Sequence, residues 1–228
     1  QTSLVGSEMC IRDRYKVEQH ISYDQNGKIM TKFFAVSFSF MTIIALALMS
    51  YLVFWGNAKS CGTAVVAGGQ ASIGGPFELI DQTGTVVNEK DVIDGLTLIY
   101  FGYTYCPDIC PLDTQRNLTV IDILDEEGIN ITPVFITIDP VRDTIEALND
   151  YAIASHERLV ALTGSVEQIS VASKAYRTYY RKNGTGEDYL MDHSTFSYLM
   201  DETGFLQFFR RDVSPDEVAK TISCFSNV

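Results

Sequence analysis

Residues 96–103 (LTLIYFGY) form a near-continuous apolar run of strand type, and the chain turns directly from it into Tyr105-Cys106-Pro107-Asp108-Ile109-Cys110-Pro111. Such a run has no face suited to water, so it predicts a central strand covered on both sides. A second run of the same kind, Ile131 to Ile138 (ITPVFITI), follows a segment from Leu112 to Glu127. That segment spaces Leu112, Leu118, Ile121 and Leu124 along one helical face, and Gly128 ends it. Helices are further predicted over Asp143 to Ala154 and over Ser165 to Arg177, where Ser165 and Gln168 form a capping box. Leu159 to Leu162 reads as a short strand. Thr195 to Met200 and Phe205 to Arg210 read as a hairpin around Asp201-Glu202-Thr203-Gly204. Ser214 caps a last helix to Ser223, with Pro215 in its first turn. Upstream, Phe77 to Ile80 and Thr85 to Val87 flank an Asp-Gln-Thr-Gly turn and predict one more hairpin. Strands alternating with helices, then a closing hairpin and helix, predict an α/β fold of the thioredoxin-like kind with an N-terminal hairpin extension.

That domain is expected over 76–228, and the rest of the chain is of different character. Phe33 to Trp55 holds no charged residue. A helix of about 20 apolar residues crosses a hydrocarbon layer of roughly 30 Å, so 33–55 is expected to be a transmembrane anchor. Tyr51 and Trp55 suit an interfacial aromatic belt. Lys28 and Lys32 precede the run, which places the N-terminal side in the cytoplasm and the domain outside. The run is longer than the apolar core of a cleavable signal peptide. Residues 56–75, rich in Gly and Ala, read as a flexible linker. Residues 1–32 read as a cytoplasmic tail. Its opening stretch QTSLVGSEMCIRDR resembles translated sequencing-adapter read-through, and Met30 is the candidate natural start.

The net charge of −12 excludes a nucleic-acid partner, because phosphates would be repelled. Five cysteines are too few for a disulfide scaffold, and Cys61 and Cys224 have no partner assignable from sequence. Cys106 and Cys110 stand apart. One lies in a loop after a buried strand, the other opens a helix whose amide donors favour thiolate. Taken alone the pair fits a thiol–disulfide couple, a metal site or a structural bridge, although three intervening residues differ from the two of usual thioredoxin sites. His20 lies in the tail and His156 near a helix end. His193, in Met191-Asp192-His193-Ser194-Thr195, instead precedes a strand after a Gly-rich loop. In a thioredoxin-like fold that loop approaches the helix-opening thiols. Two thiolates and one imidazole suit copper, Cu(I) or Cu(II), while Zn(II) would need a further ligand.

Three segments in order, FGYTYCPDICP, IDPVRDT (Ile138 to Thr144) and DHSTFSYLMDETG, resemble the Sco (SenC) family of copper chaperones for cytochrome c oxidase assembly, over roughly Gly74 to Ser223. The resemblance implies Cys106, Cys110 and His193 as copper ligands. It also implies delivery of copper to the binuclear copper site of cytochrome c oxidase subunit II, or to another copper-receiving protein. The alternative is a thiol–disulfide oxidoreductase that reduces that subunit's cysteines; a peroxiredoxin-type peroxidase is the weaker third reading. Asp139 and Asp143 are candidates for groups behind the copper ligands or touching a partner, and Arg142 for pairing with an acid or with that partner. From position alone, Asp143 is expected to cap the following helix. The expected location is a bacterial inner membrane with the domain in the periplasm. The alternative is the mitochondrial inner membrane, facing the intermembrane space.

Overall fold

The computed structural model describes residues 36–51, 61 and 73–226. The chain divides into two compact units, Gln1–Ala58 and Lys59–Val228. In the first, residues 36–51 form helix α1, with exposed side chains throughout. Among the described residues no helix is long and apolar enough to cross a membrane. The anchor expected over 33–55 runs past this helix at both ends. Residues 33–35 and 52–55, like the tail 1–32, lie outside the described residues.

The second unit opens with the expected hairpin, β1 (Glu78–Asp81) and β2 (Val86–Asn88), paired Glu78 to Asn88. Its turn is closed by the Asp81 carboxylate, which accepts from the Thr83 and Thr85 amides. A short helix α2 (Glu89–Val92) follows. Asn88 and Asp91 cap it reciprocally, a box built from Asn and Asp that the Ser/Thr-to-Glu/Gln pattern does not reveal. The chain then alternates β3 (Thr97–Gly102), α3 (Ile109–Glu126), β4 (Thr132–Thr137), α4 (Ile145–Ser155), β5 (Val160–Thr163) and α5 (Val166–Ala175). A hairpin β6 (Tyr180–Asn183) and β7 (Leu190–His193) forms a separate two-stranded sheet. The chain closes with β8 (Ser197–Asp201), β9 (Gly204–Phe209) and α6 (Pro215–Ser226).

The main sheet has the order β2-β1-β5-β4-β3-β8-β9. Its centre is parallel, β3 on β4 on β5, with β1 and β8 antiparallel on either side. All six residues of β3 are buried, as a strand sandwiched between two layers requires. Leu98 packs with Val120, Ile121 and Leu124 of α3 and with Val218 and Ile222 of α6. Ile99 and Phe101 face the other way, into a core with Leu79 and with Ile169 and Ala172 of α5. At the strand's end Gly102 is required: a Cβ there would lie 2.8 Å from the Tyr100 ring and 2.9 Å from Phe135. This is the mixed α/β, thioredoxin-like arrangement expected, with its hairpin extension on one edge.

Packing reaches further towards the N-terminus than Pro76. Ile73 is buried, and the Gly74 amide donates to the Ala175 carbonyl. Cys61 is buried too, in a disulfide with Cys224 of α6 across 163 positions of sequence. The remaining linker residues, 56–60 and 62–72, lie outside the described residues. Closing so long a loop removes much of the unfolded chain's freedom. Cys224→Ser is therefore expected to lower unfolding stability by about 2–5 kcal/mol, measured by urea denaturation without reductant; an unchanged midpoint would show that the bridge contributes nothing.

Candidate functional site

The C-terminal edge of the parallel strands carries the predicted residues, where α/β folds place their sites. Cys106 lies half-buried in the loop after β3, and Cys110 is buried in the first turn of α3; neither is in a disulfide. The helix begins at Ile109 rather than Leu112. Its N-cap residue Asp108 offers no side-chain bond. The Cys106 sulfur takes that place, accepting from the Cys110 amide at 3.4 Å. His193 is the last residue of β7, where it pairs with Tyr180. Its Nε2 stands 3.2 Å from Cys110 Sγ, so the loop-to-thiol approach expected from the fold is present.

The histidine's tautomer follows from its other nitrogen. Nδ1 lies 2.8 Å from the Ser194 carbonyl oxygen, which can only accept. Nδ1 therefore carries the proton, and the neutral ring turns the Nε2 lone pair towards Cys110 Sγ. Burial lowers the His193 pKa against the opposing pull of Ser194, Asp113 and Asp192, which keeps the ring neutral. Tyr100 and Tyr103 stand edge-on to it, with ring centroids at 6.3 and 6.0 Å.

The two thiols differ. Burial pushes the Cys110 thiol far up, and the Tyr103 backbone pulls the other way without reversing it. Burial also acts against the Cys106 thiolate, but the amides of Cys110, Asp108 and Ile109, together with the Cys110 side chain, outweigh it and bring its pKa down. The less buried sulfur is thus the readily ionised one, and the buried sulfur keeps its proton while facing the His193 Nε2. Among the described residues no group of three or more His, Cys, Asp or Glu side chains is already spaced to hold a metal ion. The three predicted ligands are joined in a chain instead, Cys106 to the Cys110 amide and Cys110 to His193.

Asp143 does not cap α4. Thr144 does, accepting from the Ala147 amide, because the turn buries Asp143 beneath the cysteine loop. There its carboxylate accepts from the Thr104 amide at 3.1 Å, the Thr104 hydroxyl at 2.5 Å and the Thr137 hydroxyl at 2.5 Å. Asp139 accepts from Arg142 Nε at 2.6 Å and from the Tyr189 hydroxyl at 2.7 Å. Arg142 thus pairs with an acid, as one of its two expected roles. Sequence reading left two partners of the site unrecognised. Asp113, buried in α3, accepts from the Tyr100 hydroxyl at 3.1 Å. Tyr189 sits in the β6–β7 hairpin, whose strands are exposed or half-buried throughout and give no alternating pattern to read.

A family profile described as SCO1/SenC matches residues 66–227. Protein SenC of Rhodobacter capsulatus is 48% identical over 157 residues, covering 68% of this chain and 71% of that protein. The crystal structure of Arabidopsis thaliana ScoI with copper bound superposes with a TM-score of 0.65 at 39% identity, covering 68% of this chain and 99% of the other. Bradyrhizobium japonicum ScoI with copper bound gives 0.61 at 37% identity, over 66% and 98%.

The unequal thiols are open to measurement. Under anaerobic reduction, iodoacetamide is expected to label Cys106 well before Cys110, with a labelling midpoint below the ordinary thiol range of about 8.5. Because its folded pKa is depressed, the Cys106 thiolate stabilises the fold above the unfolded pKa, and that contribution is lost as pH falls through the folded value. Peptide mapping that found Cys110 modified first would contradict the assignment.

Proposed function

The chain belongs to the SCO1/SenC family, and on that premise we propose that it is a membrane-anchored copper chaperone. It binds copper through Cys106, Cys110 and His193 and delivers it to the binuclear copper site of cytochrome c oxidase subunit II. The observation that carries this reading is the 3.2 Å approach of His193 Nε2 to Cys110 Sγ in the ligating tautomer. Two thiolates are soft donors suited to Cu(I), and the imidazole serves either copper valence. The copper-bound structures of relatives from Arabidopsis thaliana and Bradyrhizobium japonicum support the choice of metal.

Loading replaces protons by metal. Cys110 gives up its proton, the Nε2 lone pair turns to the ion, and Cys106 leaves the Cys110 amide to complete the set. Binding thus releases protons and strengthens as pH rises. A partner thiolate approaching from solvent meets Cys106 before Cys110, because Cys106 is half-buried and Cys110 buried. The anchor is the segment 33–55, and the domain works on the oxidising side of a bacterial inner membrane. The Cys61–Cys224 disulfide supports that compartment, since such bridges persist where thiols are not kept reduced.

The lowered pKa of Cys106 beside a buried Cys110 also favours a second activity. The Cys106 thiolate would attack a partner disulfide to form a mixed disulfide and release one partner thiolate; Cys110 would then attack the Cys106 sulfur, its proton passing to a departing partner thiolate. The partner gains two electrons as a dithiol, and this chain ends as the Cys106–Cys110 disulfide, unable to hold copper until reduced.

Anaerobic titration of the unit Lys59–Val228, which keeps the Cys61–Cys224 disulfide, with Cu(I) against a competing chelator separates the two. The chaperone reading expects one copper per chain. It also expects His193→Ala to weaken binding by more than the roughly 10–100-fold that loss of an outer partner costs, with the fold intact. Reductase activity would survive that substitution and fail with Cys106→Ser. Preferential recovery of zinc, or unchanged copper affinity in His193→Ala, would refute the chaperone assignment.

A further inference from the structure

We infer that Arg142 is a positioning residue that clamps the His193-bearing hairpin to the cysteine loop, so that the Cys110–His193 distance is set from the β4–α4 turn. The inference deepens the proposed function, on which it rests only for why that distance matters. The hairpin β6–β7 is a sheet of its own with no strand pairing to the main sheet, and two strands alone are marginal in water. Something outside the hairpin has to hold His193 in place.

Besides the Cys110–His193 contact and the packing of Tyr180 and Met191 on the core, the side-chain bonds that reach the hairpin from elsewhere converge on one corner. The Arg142 guanidinium lies 3.7 Å from the Tyr189 ring centroid, and its Nη1 donates to the Glu187 carbonyl at 3.3 Å. On the other side it covers Tyr105 at 4.9 Å and Tyr103 at 5.7 Å, the residues leading into Cys106. Its Nε is fixed by the buried Asp139 carboxylate, which also accepts from the Tyr189 hydroxyl. Tyr103 closes the circuit, its hydroxyl accepting from the Met191 amide at 3.2 Å. One planar cation therefore touches the β4–α4 turn, the cysteine loop and the hairpin at once. Its Nη2 stays buried without a partner, which costs free energy; the side chain is placed to reach both segments, not to saturate its own donors. A lysine could pair with Asp139 but could not stack on two rings while donating sideways.

The test needs no metal. Amide hydrogen exchange of the reduced, metal-free protein is followed in 187–193, with β3 and β4 as internal reference. Arg142→Gln is expected to speed exchange in 187–193 by about tenfold or more relative to the reference, and to shift the His193 ring resonances. Arg142→Lys should recover only part of that protection. Tyr189→Phe removes one hydroxyl and is expected to loosen the same segment, which keeps the test decisive if Arg142→Gln unfolds. Protection of 187–193 and His193 resonances unchanged in both Arg142→Gln and Tyr189→Phe would overturn the clamp. A wild type that bound no copper would instead sink the proposed function and leave the clamp standing.

Discussion

Three neighbouring strands meet at one buried aspartate. Asp143 accepts from Thr104 just after β3 and from Thr137 at the end of β4, while its own carbonyl accepts from Thr163 at the end of β5. Burial pushes its pKa up, and the hydroxyl and amide donors work against that. A carboxylate removed from water is tolerable only when its oxygens are occupied, so Thr104 and Thr137 have little freedom. Cys106 follows Thr104 by two residues, and its place above the sheet edge is inherited from this junction.

Once the loop is fixed, one local device gives the two sulfurs opposite characters. The N-terminus of α3 presents free amides. Cys106 meets them from the solvent side and ionises readily, whereas Cys110 is enclosed with Tyr100 and Tyr103 and holds its proton. In the proposed function the same division serves metal capture and thiol–disulfide exchange, because both would begin at the more accessible thiolate and finish at the protected one. His193 is where the two proposed activities part: its neutral ring, held by the Ser194 carbonyl, has a part only in the proposed metal binding.

Outside the sheet, two small elements are held by side chains where strand pairing is absent. The β6–β7 hairpin rests on Tyr189, Asp139, Arg142 and Tyr103. At the opposite end of the sequence, Cys61 is tied to α6 through Cys224, which carries folded structure ahead of Ile73. Neither attachment leaves a periodic trace, since each depends on a few atoms from distant positions.

The sequence by itself determined the layered α/β order, because LTLIYFGY and ITPVFITI can exist only as covered strands, and Ser165 with Gln168 and Ser214 with Pro215 mark helix starts through local chemistry. It also singled out Cys106, Cys110 and His193, since thiols flanking a helix start and a histidine before a strand restrict what chemistry is possible. Tertiary structure alone decided what the acids of IDPVRDT do. Asp143 is a good cap on paper, and only the fold of the turn buries it and leaves Thr144 to cap the helix. Likewise the Cys61–Cys224 pairing and the reach of Arg142 to Tyr189 are contacts between residues far apart in sequence. Their partners are set by where the packed strands and helices deliver them, and no local pattern encodes that.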